Sequence, residues 1–225
     1  MIDPGPDVES HIRALFCALK KAETTFLLLT HGHSDHAGGA GRLAGLLEAP
    51  IMAPRGFSAS DHPSVVVKTI REGDSIETDQ GCLHVLETPG HSRDHLTFHW
   101  REAEALFVGD LLLGRGNTTW VGEYLGCVDD YLASLDKIEA LNAATLYPTH
   151  GPPITSPARS IGKYRRHRLQ RLEEVRFIRE AKPAADAIEI AEVIYGEEIP
   201  SKLLKAAREG VEAALFHLDK TAGSS

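Results

Sequence analysis

TFLLLTHGHSDHAGG, Thr25 to Gly39, is the stretch on which the fold turns. An apolar run, Phe26 to Thr30, leads directly into His31, His33, Asp35 and His36, and then into small residues that open a helix. In an extended segment, side chains two apart point to the same side, so His31 and His33 can grip one ion from one face of a strand end. Asp35 and His36, turning into the next helix, aim elsewhere, which suits a second ion close to the first. Imidazole with carboxylate is a ligand set for zinc, or for manganese or iron in a more carboxylate-rich variant. The plainer reading is a polar turn before a helix. Three histidines and an aspartate within six positions, at the mouth of a buried strand, favour metal binding.

Outward from that stretch the chain alternates strands and helices. Ile2 reads as a strand end and 3–6 as a turn, and the helical spacing of Val8, Ile12, Leu15, Phe16 and Leu19 predicts a helix over 8–21. A strand over 25–30 is short and continuously apolar, as strands buried on both faces are. A Gly- and Ala-rich helix follows over 36–48, ended by Pro50. Short strands are expected at 51–53 and 65–70, then a hairpin turning at Gln80-Gly81 that delivers Thr88, Pro89, Gly90 and His91 at its end. Leu96, Phe98 and Trp100 alternate as another strand, and a further one over 105–108 runs into Gly109 and Asp110. A helix over 129–142, capped by Asp129 or Asp130, precedes a strand over 145–147 that ends at Pro148, Thr149, His150 and Gly151. From 160 to 181 a strongly charged helix carries KYRRHRLQRLEEVRF, and two amphipathic helices over 186–195 and 201–219, joined by GEEIP, follow Pro183. Two units result: residues 1–156 with the sheet, and an all-helical appendage over 157–225.

Composition narrows the function. At 225 residues and 42% hydrophobic the chain buries a substantial core. A formal charge of -8 argues against indiscriminate coating of nucleic acid, which needs Lys and Arg to neutralise phosphate. Cys17, Cys82 and Cys127 are odd in number and far apart, which reads as a reducing, intracellular compartment rather than a disulfide framework. No apolar run approaches a membrane span. The opening MIDPGPDVESH begins as if inside a strand and its turn, so upstream sequence is expected.

The ligand candidates are therefore His31, His33, Asp35, His36, His91, Asp110 and His150, each at a strand end, where a sheet can converge distant residues on one pocket. Beside His91, Asp94 and His95 suit a supporting role, since a ligating imidazole donates its other N–H to an acceptor. His84 and His99 fall within strands and read as structural; His62, Trp120 and Cys127 carry no catalytic signal of their own. Lys163, Arg165, Arg166, Arg168 and Arg171 make the strongest positive run in an acidic chain. They fit either a solvated helix face with i,i+4 ion pairs or a strip that guides a single strand of RNA to the metals.

HGHSDH, TPGHSRDH, VGD and PTHGP, in this order, resemble the ligand motifs of the metallo-β-lactamase fold superfamily of metallohydrolases. The resemblance implies an α/β fold, the αββα sandwich with its first hairpins missing, and a winged-helix-like C-terminal domain. It implies two zinc ions, with Mn2+ or Fe2+ as substitutes. His31, His33 and His91 would hold the first, Asp35, His36 and His150 the second, and Asp110 would bridge them, with a bridging hydroxide as nucleophile and Asp35 steering it. GDLLLGRGNTTWVGEYLGCVDDYLASLDKI is similar to the pattern of the lactamase-β-2 group, which implies a single-strand-directed endoribonuclease of the cytoplasm or mitochondrial matrix. Asp110 stands where the best known β-lactamases have Cys, which disfavours lactamase activity. Two alternatives stay open: a glyoxalase II-like thioesterase acting on a small thioester, and a non-catalytic docking module for nucleic acid or protein. The family's N-terminal hairpins and C-terminal wing strands have no counterpart here.

Overall fold

The computed structural model describes residues 1–23, 25–196 and 200–223. Two sheets pack face to face between layers of helices. The first is wholly parallel, in the order β1 (Leu27–Leu28), β2 (Ile51–Ala53), β3 (Val67–Thr69), and Ile2 adds an isolated parallel bridge to Leu28. In the second, β4 (Ser75–Thr78), β5 (Gly81–Glu87), β6 (Leu96–Trp100) and β7 (Ala105–Gly109) form an antiparallel meander, and β8 (Thr145–Pro148) joins β7 in parallel.

Alternation along the strands explains the layers, because successive side chains face opposite sides of a sheet. Leu27 and Leu29 point to the outer face of the first sheet, where α1 (Glu9–Leu19) and α3 (Ala40–Leu47) cover them with Ile12, Leu43 and Ala44. Leu28 points inward and meets Ile76, Leu83, Val85, Leu96 and Phe98 of the second sheet. Each such fully buried Leu or Phe stabilises the fold by about 1.5–3 kcal/mol. On the far side of the second sheet, Leu106, Val108 and Leu146 pack under α4 (Cys127–Ala140) and α5 (Pro157–Ala181). That cluster continues without a break into α6 (Ala187–Tyr195) and α7 (Ser201–Ala222) through Ile190, Val211 and Ala214.

Several boundaries differ from the sequence reading for identifiable reasons. The helix expected over 36–48 is two: α2 (Ser34–Ala37) closes one turn over the ligand segment, and α3 begins after Gly38-Gly39. These glycines sit against the 5–7 turn and Ile12, with no room for a Cβ. α4 starts at Cys127, two residues early, because its N-cap is Gly126 at φ 96 rather than an aspartate; Asp129 and Asp130 lie in its first turn. α6 is capped as its sequence suggests, with Asp186 and Glu189 forming a reciprocal capping box. Residues 197–199 of the GEEIP connection lie outside the described residues. No helix among the described residues is long and apolar enough to cross a membrane. Cys17, Cys82 and Cys127 are all free thiols.

Candidate metal centre

The fold delivers every candidate ligand to one rim. His31 and His33 follow β1, Asp35 and His36 sit in α2, His91 closes the loop after β5, Asp110 follows β7, and His150 follows β8. Their donor atoms fall into three overlapping groups: His31, His33 and His91; His31, His36 and Asp110; and Asp35, His36 and His150. Within each, the ligand atoms lie within 4.8 Å of one another. His31 Nε2 is 3.0 Å from His33 Nδ1, which is 3.1 Å from His91 Nε2. Asp110 Oδ2 stands 3.4 Å from His36 Nε2 and 3.7 Å from both His91 Nε2 and His150 Nε2. The carboxylate thus sits between the two histidine groups.

Hydrogen bonds behind the imidazoles decide which nitrogen faces the centre. The Thr30 hydroxyl donates to Asp3 Oδ2 and so accepts from His31 Nδ1. His36 Nδ1 donates to the same Asp3 oxygen at 2.9 Å, and His91 Nδ1 donates to the Trp120 carbonyl at 3.0 Å. His33 is reversed, its Nε2 donating to Glu123 Oε1 at 3.1 Å. Every one of these rings therefore turns its remaining nitrogen inward, the arrangement that fixes a metal-binding tautomer.

Electrostatics divide the imidazoles, keeping His31 and His91 neutral and leaving His36 a proton that a bound cation would replace. Burial, reinforced by the surrounding imidazoles, holds the His31 pKa far below its ordinary value. Burial also lowers His91, against the pull of Asp110. Burial opposes a charge on His36, but Asp110 and Asp3 on either side outweigh it and raise its pKa to about 10. Asp110 is lowered: burial pushes it up, and His36, His91 and His150 more than offset this.

The donor set fits divalent cations on a specific observation. His36 Nε2 and Asp110 Oδ1 are buried with no hydrogen-bond partner among the described residues. Orphaned buried polar atoms are costly and rare, and these two lie in the middle of a ring of nitrogen and oxygen donors. His31, His33 and His91 could hold one ion, Asp35, His36 and His150 a second, with Asp110 reaching both.

Asp94 and His95 support the centre, though through the backbone rather than through ligand imidazoles. Asp94 Oδ2 accepts the Gly32 N–H, bracing the link between His31 and His33, and Oδ1 takes the Ser92 hydroxyl. His95 is buried, its pKa lowered by that burial to about 3, and its Nε2 accepts the Asp110 N–H at 3.1 Å. Gly109, at φ 49, must be glycine here, since a Cβ would lie 2.6 Å from His95 Nε2. The strip expected on α5 changes character. Arg168 is 7% exposed and donates to the Thr119 carbonyl, and Arg165 is ion-paired to Asp136 and Glu139. Arg168 is therefore a buried brace and not part of a surface strip for RNA; Lys163 and Arg166 remain exposed.

Sequence reasoning missed Asp3, Thr30, Thr149 and Glu123. The buried Asp3 carboxylate accepts the Thr30 N–H, the Thr30 and Thr149 hydroxyls and His36 Nδ1. Its signal was available, since it too is an acid directly after a strand position. Of the other histidines, His84 and His99 face each other across β5 and β6, and His62 packs against Gly41 of α3. Trp120 lies 6.3 Å from the His33 ring, whereas Cys127 is buried at the start of α4.

Comparison with known proteins identifies the family and the fold. The family model described as the metallo-beta-lactamase superfamily matches residues 1–150. A "Beta-lactamase-like protein 2 homolog" from Caenorhabditis elegans is 29% identical over 98% of this chain and 74% of its own. An "Atrochrysone carboxyl ACP thioesterase" from Aspergillus fumigatus is 33% identical over 82% of this chain and 60% of its own. Among solved structures, a beta-lactamase domain protein from Burkholderia ambifaria superposes with a TM-score of 0.86 at 24% identity, covering 98% of this chain and 77% of that one.

Proposed function

The chain belongs to the metallo-beta-lactamase superfamily, and from that premise we propose that it is a two-zinc hydrolase cleaving phosphodiester bonds of single-stranded RNA. The observation that carries the hydrolytic reading is the pair of unpartnered buried atoms, His36 Nε2 and Asp110 Oδ1, inside the ring of donors. A pair of divalent cations, when bound, lowers the pKa of water and neutralises charge developing on a phosphoryl group. His31, His33 and His91 hold one cation in this reading, and Asp35, His36 and His150 hold the other, with Asp110 between. Zinc suits the imidazole-rich set, and manganese or iron are the substitutes. Asp35, exposed at the mouth, engages His150 through Oδ2, which leaves its other oxygen to accept a hydrogen bond from the attacking water and steer it. Solvent is the nucleophile, and no Ser or Cys is required.

RNA as substrate is supported by the resemblance to the lactamase-β-2 group and by an open cleft of about 1090 Å³ beside His33. Residues 1–156 carry the chemistry in this reading, and the helices of 157–225 form a winged-helix-like docking unit in the cytoplasm or mitochondrial matrix. A thioester substrate is the second reading. The thioesterase relative favours it, as does an apolar pocket of about 340 Å³ lined by Trp120, Tyr195, Leu203 and Ala206, which suits an acyl chain. The deciding assay offers zinc-loaded protein a labelled single-stranded oligoribonucleotide and S-lactoylglutathione in parallel. RNA cleavage that His31→Ala and Asp110→Ala abolish, with helical content retained, is the expected result. Thioester turnover alone selects the second reading, and protein that takes up no metal rules out both.

A further inference from the structure

The cleft beside His33 has a feature that the hydrolytic reading leaves unused. Its walls carry Arg55, Arg71 and Arg93, all exposed, and no guanidinium of the three is ion-paired among the described residues. Four arginines of α5 differ, with Arg165, Arg171, Arg176 and Arg179 each on a carboxylate.

Register explains how two of them come to stand in line with the metal centre. Leu28, Met52 and Lys68 are aligned neighbours across β1, β2 and β3. His31, Arg55 and Arg71 each lie three residues beyond those partners, at the carboxyl ends of adjacent parallel strands. Ligands of open parallel sheets bind at that edge. Adjacent strands are about 4.8 Å apart, so the row runs from the first ligand to Arg71 over about 10 Å. Arg93 faces the row from the loop after β5, its guanidinium stacked 4.1 Å from the centroid of the Tyr124 ring. Stacking of this kind holds the plane while leaving N–H edges open to a phosphate.

Acidic side chains line the same cleft, but they are engaged. Asp74 accepts the Arg71 N–H, Asp94 the Gly32 N–H, and Glu123 both the Arg93 N–H and His33; Glu87 accepts the Glu72 N–H at 3.5 Å. These contacts hold the carboxylates to the backbone and to His33, so that they keep their charge but do not pair with the three guanidinium groups, whose N–H edges face the cleft.

We propose that Arg55, Arg71 and Arg93 form a phosphate track that receives the RNA backbone next to the scissile bond, so that the strand crosses the end of the parallel sheet rather than lying along α5. The inference rests on the RNA reading above, and its test separates the two. Anisotropy of a short labelled single-stranded RNA on the zinc-loaded full chain, titrated across salt, is compared between wild type, the triple variant Arg55→Gln, Arg71→Gln, Arg93→Gln, and the pair Lys163→Gln, Arg166→Gln. The triple variant is expected to bind at least about tenfold more weakly. Its slope against log salt should flatten by about 2, at about 0.7 for each phosphate no longer neutralised. Hydrolysis of bis(p-nitrophenyl) phosphate by wild type reports the metal centre by itself, and the zinc content and thermal unfolding of the triple variant should match wild type, which separates a lost track from a disturbed fold.

Unchanged RNA binding in the triple variant overturns the track, as does a loss that follows Lys163 and Arg166 instead. Salt-independent or undetectable binding by wild type overturns it as well. If wild type binds RNA through these arginines yet cleaves neither RNA nor the small ester, the track stands and the nuclease reading falls. The opposite pattern, cleavage of RNA by wild type and triple variant alike, removes the track and keeps the nuclease.

Discussion

Asp3 Oδ2 accepts a hydrogen bond from His36 Nδ1 at 2.9 Å, with both side chains buried, and so ties the start of the chain to the centre of the ligand cluster. The same carboxylate holds the Thr30 and Thr149 hydroxyls, and Thr30 in turn orients His31. One residue thereby sets two imidazoles and the segment that carries His150.

Removing that carboxylate should be felt twice. Asp3→Ala leaves the Thr30 N–H, two hydroxyls and His36 Nδ1 without their acceptor, at a cost of about 3 kcal/mol or more. Metal affinity should fall by about 10- to 100-fold, the usual consequence of losing a carboxylate behind a ligating histidine. Urea unfolding and chelator competition measure the two effects. An Asp3→Ala protein of wild-type affinity would show that His36 does not need this partner.

Acid should destabilise the metal-free protein before its carboxylates titrate. His31, His91 and His95 have folded-state pKa values below the ordinary 6.5, His95 at about 3. Groups lowered in the fold contribute stability that is present above pH 6.5 and is lost as pH falls, at about 1.4 kcal/mol per unit for each group that stays neutral. His36 has the opposite sign: raised to about 10, it contributes fully below pH 6.5 and loses that contribution as pH rises through 10. Together these groups put their combined maximum near pH 6.5. Urea midpoints of chelated protein should therefore drop between pH 6.5 and 4, and a flat profile there would contradict the burial of these rings.

Gly90 should be intolerant of any side chain. It sits at φ 133, and a Cβ would lie 2.5 Å from Tyr131 Cα and 2.7 Å from its backbone nitrogen, so α4 would have to move. Gly90→Ala should cost about 2 kcal/mol or more through strain and overpacking. Displacement of the adjacent His91 should weaken metal binding as well. Thermal unfolding and metal titration of the variant test both. Tyr131→Phe, which keeps the close approach and removes only the hydroxyl bond to the Leu111 carbonyl, should cost less.

Legibility in the sequence divides along physical lines. The seven ligand candidates were readable because each is a titratable residue at the end of an apolar strand, and converging strand ends leave little choice of destination. Parallel against antiparallel pairing could also be anticipated where a hairpin turn or an intervening helix dictates it. Glu123 and Thr119 could not, since what they do depends on how the loop 111–126 folds back over His91, and no periodicity encodes that. Arg168 leaves the α5 strip for a related reason: a run of cations on a helix does not say which of its faces meets a core. Arg55 and Arg71 show the converse, two ordinary surface arginines until the register of β1, β2 and β3 aligns them with His31.

Arg168 provides the sharpest test of that distinction. Its guanidinium donates to the Thr119 carbonyl at 3.1 Å and lies 5.5 Å from the Tyr131 ring centroid, while burial pulls its pKa below the usual arginine value. Thr119 and Trp120 are the segment whose hydroxyl and carbonyl oxygens back His91 Nδ1. Truncation by Arg168→Ala opens a cavity and strands the carbonyl, and should cost about 2–4 kcal/mol. Arg168→Met fills the space and removes a buried charge but leaves the same carbonyl without its donor, so it should cost about 1–2 kcal/mol, less than Arg168→Ala. Neither variant should change the salt dependence of RNA binding, because the guanidinium does not reach solvent. If Arg168→Met kept its stability and lost RNA affinity, the charge would have to face the strand, and the packing of α5 against α4 would need to open on binding.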